Sequence, residues 1–110
     1  MAVKQNRKRY IPFRIISDRE IQFETAKRAI LESSFVLLGE LGASKANINV
    51  LPEFWRNNSG VISVNHNYVQ KLKFSLALIK QIHTQRIVVY TQKVYGTLKK
   101  IKTMFNKEVV

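Results

Sequence analysis

Between Phe54 and Lys107 the chain carries ten lysines and arginines and no aspartate or glutamate. Glu53 and Glu108 bracket that run. Over all 110 residues, 19 Lys and Arg stand against 7 Asp and Glu, a net charge of +12. So one-sided a balance describes partners rather than fold, and it suits a polyanion. The cations gather toward both ends: Lys4, Arg7, Lys8, Arg9 and Arg14, then Lys93, Lys99, Lys100, Lys102 and Lys107. Each alone reads as a solvated side chain. If the two groups converge in space, they neutralise several phosphates together and binding becomes steeply salt-dependent.

Residues able to make or break covalent bonds are sparse. His66 and His83 are the only histidines, and no acid lies between them. There is no cysteine, hence no disulfide and no thiolate metal site. No cluster of His and carboxylates has metal-ligand spacing, and no nucleophile elbow surrounds a serine. Gly39, Gly42, Gly60 and Gly96 make neither a dinucleotide nor a Walker loop. We therefore expect no catalytic set, no metal site and no cofactor bound by the protein.

The longest purely apolar runs are four residues, such as Phe35 to Leu38, too short to cross a bilayer. The basic start is followed by an apolar stretch broken at Arg14, which does not suit a signal peptide. These features, with the missing cysteine, lead us to expect a cytoplasmic protein with no membrane partner.

Several elements must position the charges. Residues 1–8 read as a flexible basic arm, 9–105 as a single domain and 106–110 as a frayed tail. Arg9 to Ser17 alternates Ile11, Phe13 and Ile15 onto one face of a strand. Pro12 donates no hydrogen bond, so that strand is expected at an edge or bulged. Ser17 and Glu20 form a possible capping box for a helix from about Arg19 to Leu41. Phe23, Ala26, Ile30, Leu37 and Leu41 make its stripe, deep seating is expected, and Gly42 is the left-handed cap. Ala46 to Arg56 reads as a strand interrupted at Pro52, Asn57 to Gly60 as a turn, and Gly60 to Asn65 as the return strand. A second helix runs from Asn65 or Asn67 to about Ile82, with Val69, Leu72, Leu76 and Ile79 inward and Phe74 and Leu78 pointing nearly opposite. After the short link His83 to Gln85, Arg86 to Thr91 is a strand. Thr97 caps a last helix that turns Leu98, Ile101 and Phe105 inward.

This order is βαββαβ with an appended C-terminal helix. The expected class is α+β, a split ferredoxin-like (RRM-like) sandwich with two helices on one face of a four-stranded sheet and a more open opposite face. The first and fourth strands then lie at opposite edges or on either side of the central pair, so the two basic groups need not form one patch. RNA-recognition motifs stack bases on aromatics of their central strands, but GVISVN has none. Tyr10 and Tyr90 are able to stack a base, yet recognition of RNA backbone and shape fits better.

The ordered set RYIPFRII, LGELGASKANINVL, GVISVNHNYVQKLKFSLALI and RIVVYTQKVYGTLKKIK resembles the ribonuclease P protein component 2 family, the archaeal counterpart of a eukaryotic Pop-family subunit shared by ribonucleases P and MRP. Gly96-Thr97-Leu98-Lys99-Lys100 is its most distinctive piece, and the likeness spans about residues 9–102. The resemblance implies a non-catalytic protein subunit. It binds and stabilises the catalytic RNA that removes the 5′ leader from precursor tRNA, with Mg²⁺ bound by that RNA. It also implies pairing with ribonuclease P protein component 3, two copies of each forming a heterotetramer, and only indirect contact with precursor tRNA. We expect Arg9, Arg14, Lys93, Lys99, Lys100 and Lys102, and also Arg56, to screen phosphate repulsion in the RNA. Phe74 and Leu78, or Leu31 and Phe35, are the expected protein-partner contacts. The rival readings are a ribosomal-type RNA-scaffold protein and a ferredoxin-like small-molecule sensor.

Overall fold

Lys8 to Ile16 forms β1, the strand on which the sheet is built. The computed structural model describes residues 7–109. In chain order the elements are β1 (Lys8–Ile16), α1 (Phe23–Ala46), β2 (Asn49–Arg56), β3 (Ser59–Asn65), α2 (Val69–Ala77), β4 (Gln81–Ile82), β5 (Gln85–Arg86), β6 (Val88–Thr91) and α3 (Leu98–Val109). One 3-10 turn, His66–Tyr68, leads into α2. The main sheet is antiparallel with strand order β2-β3-β1-β6. That is a ferredoxin-like order, but β1 is central with β6 beside it, so the first and last strands of the sheet neither lie at opposite edges nor flank a central pair. The basic arm, apart from Arg7 and Lys8, lies outside the described residues, as do the side chains of Phe105 and Lys107.

The helix layer seals one face of the sheet. Ile11, Phe13 and Ile15 of β1, Val50 of β2, and Ile62 and Val64 of β3 form one cluster with Ala26 and Ile30 of α1 and Val69, Leu72 and Leu76 of α2. Period-two burial on the strands and near-3.6 burial on the helices produce a single apolar seam. The α1–α2 contact also carries a polar link. Ser33 Oγ donates to the Ser75 carbonyl at 2.7 Å, and the buried Ser34 and Ser75 hydroxyls lie 3.3 Å apart.

The β2–β3 turn follows from its sequence. Asn57 and Asn58 both have positive φ (51° and 61°), the geometry of a two-residue hairpin turn matched to strand twist. Gly60 sits opposite Phe13. A Cβ there would come within 3.0 Å of the Trp55 ring and 3.2 Å of Phe13. Glycine thus lets those two rings approach, with centroids 6.1 Å apart.

Pro12 is not at an edge, because β1 lies between β3 and β6. The irregularity is on the neighbouring strand. Tyr10 and Tyr95 exchange backbone bonds of 2.8 Å, and Gln92 N–H donates to the Pro12 carbonyl at 2.9 Å. Two steps along β1 thus match three along 92–95, a one-residue bulge facing the proline that has no N–H to offer.

The first helix departs most from expectation. It starts at Phe23 with Gln22 at the cap and no side-chain cap bond. Ser17 instead accepts a bond from the Arg19 N–H at 3.2 Å, so no Ser17–Glu20 box forms. The helix breaks at Gly39 (φ 76°, ψ 177°), resumes, and ends at a left-handed Asn47. Gly42 lies within the resumed helix and is not the cap. Leu37, before the break, and Leu41, after it, are not core residues, at 38% and 69% exposed. Beyond the break the backbone no longer keeps the stripe in phase with the sheet.

The second helix is shorter than expected, because Gln81–Ile82 and Gln85–Arg86 pair as a small hairpin across His83, which has φ 56°. The expected stripe Val69, Leu72, Leu76 and Ile79 is buried. Thr97 Oγ1 accepts from the Lys100 N–H at 3.2 Å, the expected cap of α3. The backbone of α3 is helical to Val109, past the expected tail boundary at Asn106.

The opposite face of the sheet is only partly open. Ile101 of α3 is fully buried against Phe54 and Val61, with Tyr10, Leu51, Tyr95 and Leu98 packed around it. The appended helix makes a third layer over the Tyr10 end of the sheet and leaves the Arg14 end uncovered.

Candidate nucleic-acid interface

Strand pairing builds the first part of the site. Arg56 pairs with Ser59, Ser59 with Arg14, and Arg14 with Tyr90. Directly paired residues share a face, so these four form one row across all four strands. The row lies on the α3 side, because Ile11, Phe13 and Ile15 take the other face. Arg14 and Arg56 are exposed. Arg14 Nε donates to Ser59 Oγ at 3.4 Å, a weak bond that leans the guanidinium across the sheet.

The bulge and α3 supply the rest. Lys93 lies in the bulged stretch beside β1 and is exposed. Burial of Ile101 turns Lys99, Lys100 and Lys102 outward, and all three are exposed. The paired backbones of Tyr10 and Tyr95 bring the start of β1 against the approach to α3. β1 is a central strand with β6 directly beside it, so the strands are not at opposite edges. The start of β1 and the approach to α3, distant in sequence, are thus neighbours.

Of the seven expected RNA contacts, Arg9 stands apart. It pairs with Val64, whose side chain belongs to the α1–α2 core. Arg9 is half-buried, and its Nη1 donates to the Lys8 carbonyl at 3.0 Å. Arg14, Arg56, Lys99, Lys100 and Lys102 share the α3 side, with Lys93 at its β6 edge. Five carboxylates, Asp18, Glu20, Glu24, Glu32 and Glu40, lie in the β1–α1 connection or on α1. The helix layer carries both signs, because Arg19, Lys27, Arg28, Lys45, Lys71 and Lys73 lie there too, whereas residues 92–107, which hold Lys93 and the α3 lysines, contain no acid.

The other face carries an apolar surface. Phe35 (51% exposed), Phe74 (57%) and Leu78 (50%) are large hydrophobics open to solvent, and Leu31 is half-buried. Val36, Leu37 and Leu41 of α1 are exposed as well. A groove between α1 and α2 is lined by Leu37, Leu38, Gly42, Tyr68, Lys71 and Phe74. Sequence periodicity hid Val36, Leu37 and Leu41. For Leu41 the signal that could have revealed it was the helix-breaking Gly39 in mid-stripe; Val36 and Leu37 precede the break.

Among the described residues no three His, Asp or Glu side chains gather as a metal site. No described helix is long and apolar enough to cross a membrane.

Comparison with known proteins shows the family and the fold. The Rpp14/Pop5 family model matches residues 9–106. "Ribonuclease P protein component 2" of Pyrococcus abyssi is 34% identical over 101 residues, covering 92% of this chain and 86% of the relative. The protein of that name from Thermococcus gammatolerans is 33% identical over 100 residues, with 91% and 83% covered. The one from Saccharolobus solfataricus is 31% identical over 97 residues, with 88% and 68% covered. A chain in a cryo-EM structure of yeast ribonuclease MRP superposes with TM-score 0.67 at 12% identity, over 98% of both chains, a likeness of fold. A match across nearly the whole domain, joined to relatives this similar over most of their length, makes this chain a member of the Rpp14/Pop5 family of ribonuclease P subunits.

Proposed function

We propose that this protein is a non-catalytic subunit of ribonuclease P, acting in the cytoplasm, that braces the catalytic RNA responsible for removing the 5′ leader of precursor tRNA. The observation that supports this reading is the placement of Arg14 and Arg56 in one row on the α3 side of the sheet, with Lys93, Lys99, Lys100 and Lys102 exposed on and before α3, on a fold whose relatives are named as ribonuclease P components. Crowded RNA helices repel through their phosphates. A rigid cationic face set between them lowers that repulsion and the Mg²⁺ the RNA needs. Chemistry then belongs to the RNA and its Mg²⁺, and the protein contacts precursor tRNA only indirectly.

The apolar face of α1 and α2 is the proposed seat of the protein partner, ribonuclease P protein component 3, in an assembly with two copies of each. Exposed aromatic and aliphatic side chains grouped on one surface are the usual anchor of such a contact. Leu31, Phe35, Phe74 and Leu78 are its named contacts, now joined by Leu37, which lines one groove with Phe74.

Reconstitution tests the reading. Ribonuclease P RNA, component 3 and this chain are combined at limiting Mg²⁺, and precursor-tRNA cleavage is measured. Cleavage should rise when this chain is added and should be absent with protein alone. No rise, or cleavage without RNA, overturns the proposal. A ribosomal-type scaffold protein shares the charge argument, but it predicts no gain in cleavage.

A further inference from the structure

The α3 helix leaves one end of the sheet bare, and the side chains there are unusual for a solvent face. Tyr90 is 54% exposed, and its strand partner is Arg14. In the next row on the same face, Ile16 (56% exposed) pairs with Val88 (59%). An aromatic ring, a guanidinium and two aliphatic side chains thus form a two-by-two patch, with Ser59 bonded to Arg14 from the other side.

Resting on the RNA-binding reading above, we propose that this patch seats one unpaired nucleotide, with its base against Tyr90 and the adjoining phosphate on Arg14. Base–aromatic stacking needs an open ring face on a rigid support, and β6, hydrogen-bonded along β1, supplies one. The neighbouring arginine suits the phosphate through charge-assisted hydrogen bonds. Ile16 and Val88 offer dry surface to the ribose or to the next base. The row Arg56, Ser59, Arg14, Tyr90 holds no carboxylate, and the α3 lysines lie on the same side. That charge favours an anionic strand, and it opposes a second copy of a chain carrying +12. The nucleotide must be unpaired, because bases within a duplex already stack on both faces. The absence of an aromatic in β3 pointed away from stacking, but the ring arrives from the edge strand β6 instead.

The test uses the whole purified chain and two probes: a ten-nucleotide single-stranded RNA containing 2-aminopurine, and a ten-base-pair RNA duplex. Tyr90→Thr removes the ring but keeps a β-branched strand former, and circular dichroism checks its fold. Loss of one stacked base, worth about 1–3 kcal/mol, should weaken single-strand binding about 5- to 150-fold. Duplex affinity should stay unchanged, and Tyr90→Phe should bind the single strand like the parent. Quenching of 2-aminopurine should be lost in Tyr90→Thr and kept in Tyr90→Phe. Arg14→Ala should lower the single-strand salt slope by about one unit. Unchanged single-strand affinity in Tyr90→Thr overturns the proposal, as does an equal loss for both probes. If the reconstitution above succeeds while Tyr90→Thr is silent, the brace stands and only the nucleotide seat falls. Failure of the parent chain to bind the ribonuclease P RNA removes both.

Discussion

Tyr10 and Tyr95 exchange two backbone hydrogen bonds of 2.8 Å, and that pair sets the approach to α3 beside the start of β1. It pins the approach to α3 against β1 beyond the bulge. Lys93, Lys99 and Lys100 thereby come to lie on the same side of the molecule as Arg14.

The cationic face should report itself in salt dependence. Lys99→Ala, Lys100→Ala and Lys102→Ala, each measured for binding to ribonuclease P RNA, should each flatten the plot of log affinity against log salt by about one unit. Arg9→Ala should flatten it less, because Arg9 is half-buried and turned toward the helix layer. Parent-like slopes in all three lysine variants would count against phosphate contact by α3.

Ile101 is the nail that holds the third layer. It is fully buried, and Ile101→Ala should cost about 2–5 kcal/mol in urea unfolding. RNA affinity should fall with it, because the lysines lose their fixed placement. A cost below about 0.5 kcal/mol would mean that α3 does not dock on the sheet in solution.

Asn58 does more than turn the hairpin. Its Oδ1 accepts from the Ile21 N–H at 2.7 Å and its Nδ2 donates to the Arg19 carbonyl at 3.0 Å, at φ 61°. Its carbonyl also accepts from Ile15 N–H at 2.7 Å. Asn58→Gly loses the side-chain bonds but tolerates the backbone, whereas Asn58→Ala loses both. Thermal unfolding should rank the parent most stable, then glycine, then alanine, with alanine costing about 2–4 kcal/mol. Equal stability of the glycine and alanine variants would argue against a left-handed Asn58.

Gly39 should resist substitution for a backbone reason. No atom would meet a Cβ there, but φ 76° with ψ 177° is essentially glycine territory. Gly39→Ala should destabilise by about 1–3 kcal/mol. Gly96→Ala, with equally open space and no positive φ, should stay within about 0.5 kcal/mol. Equal effects at the two positions would argue against the break.

The apolar face predicts a separation of functions. Phe74→Asp and Phe35→Asp alter exposed residues, so each should leave unfolding within about 0.5 kcal/mol of the parent. Size-exclusion chromatography with component 3 should show lost co-elution, while RNA binding by this chain alone persists. Undiminished co-elution in both variants would move the partner contact elsewhere.

Local pattern was enough for much of this protein. Alternation marked Ile11, Phe13 and Ile15 as one face of a strand, and near-3.6 spacing marked Val69, Leu72, Leu76 and Ile79 as a core stripe. The asparagine pair announced its turn, and Thr97 announced its helix. These features depend on neighbours a few residues away, and periodicity records such neighbours directly. The excess of cations was also plain, since charge is a sum that needs no coordinates. Register, however, belongs to pairs of strands far apart in the chain. Only the order β2-β3-β1-β6 sets Arg56, Arg14 and Tyr90 in one row, and only the fold lays α3 over the face that βαββαβ alone would leave open. The break at Gly39 is of the same kind: a wheel drawn through it assumes one helix, and Leu41 beyond it faces outward because the backbone there no longer follows the stripe.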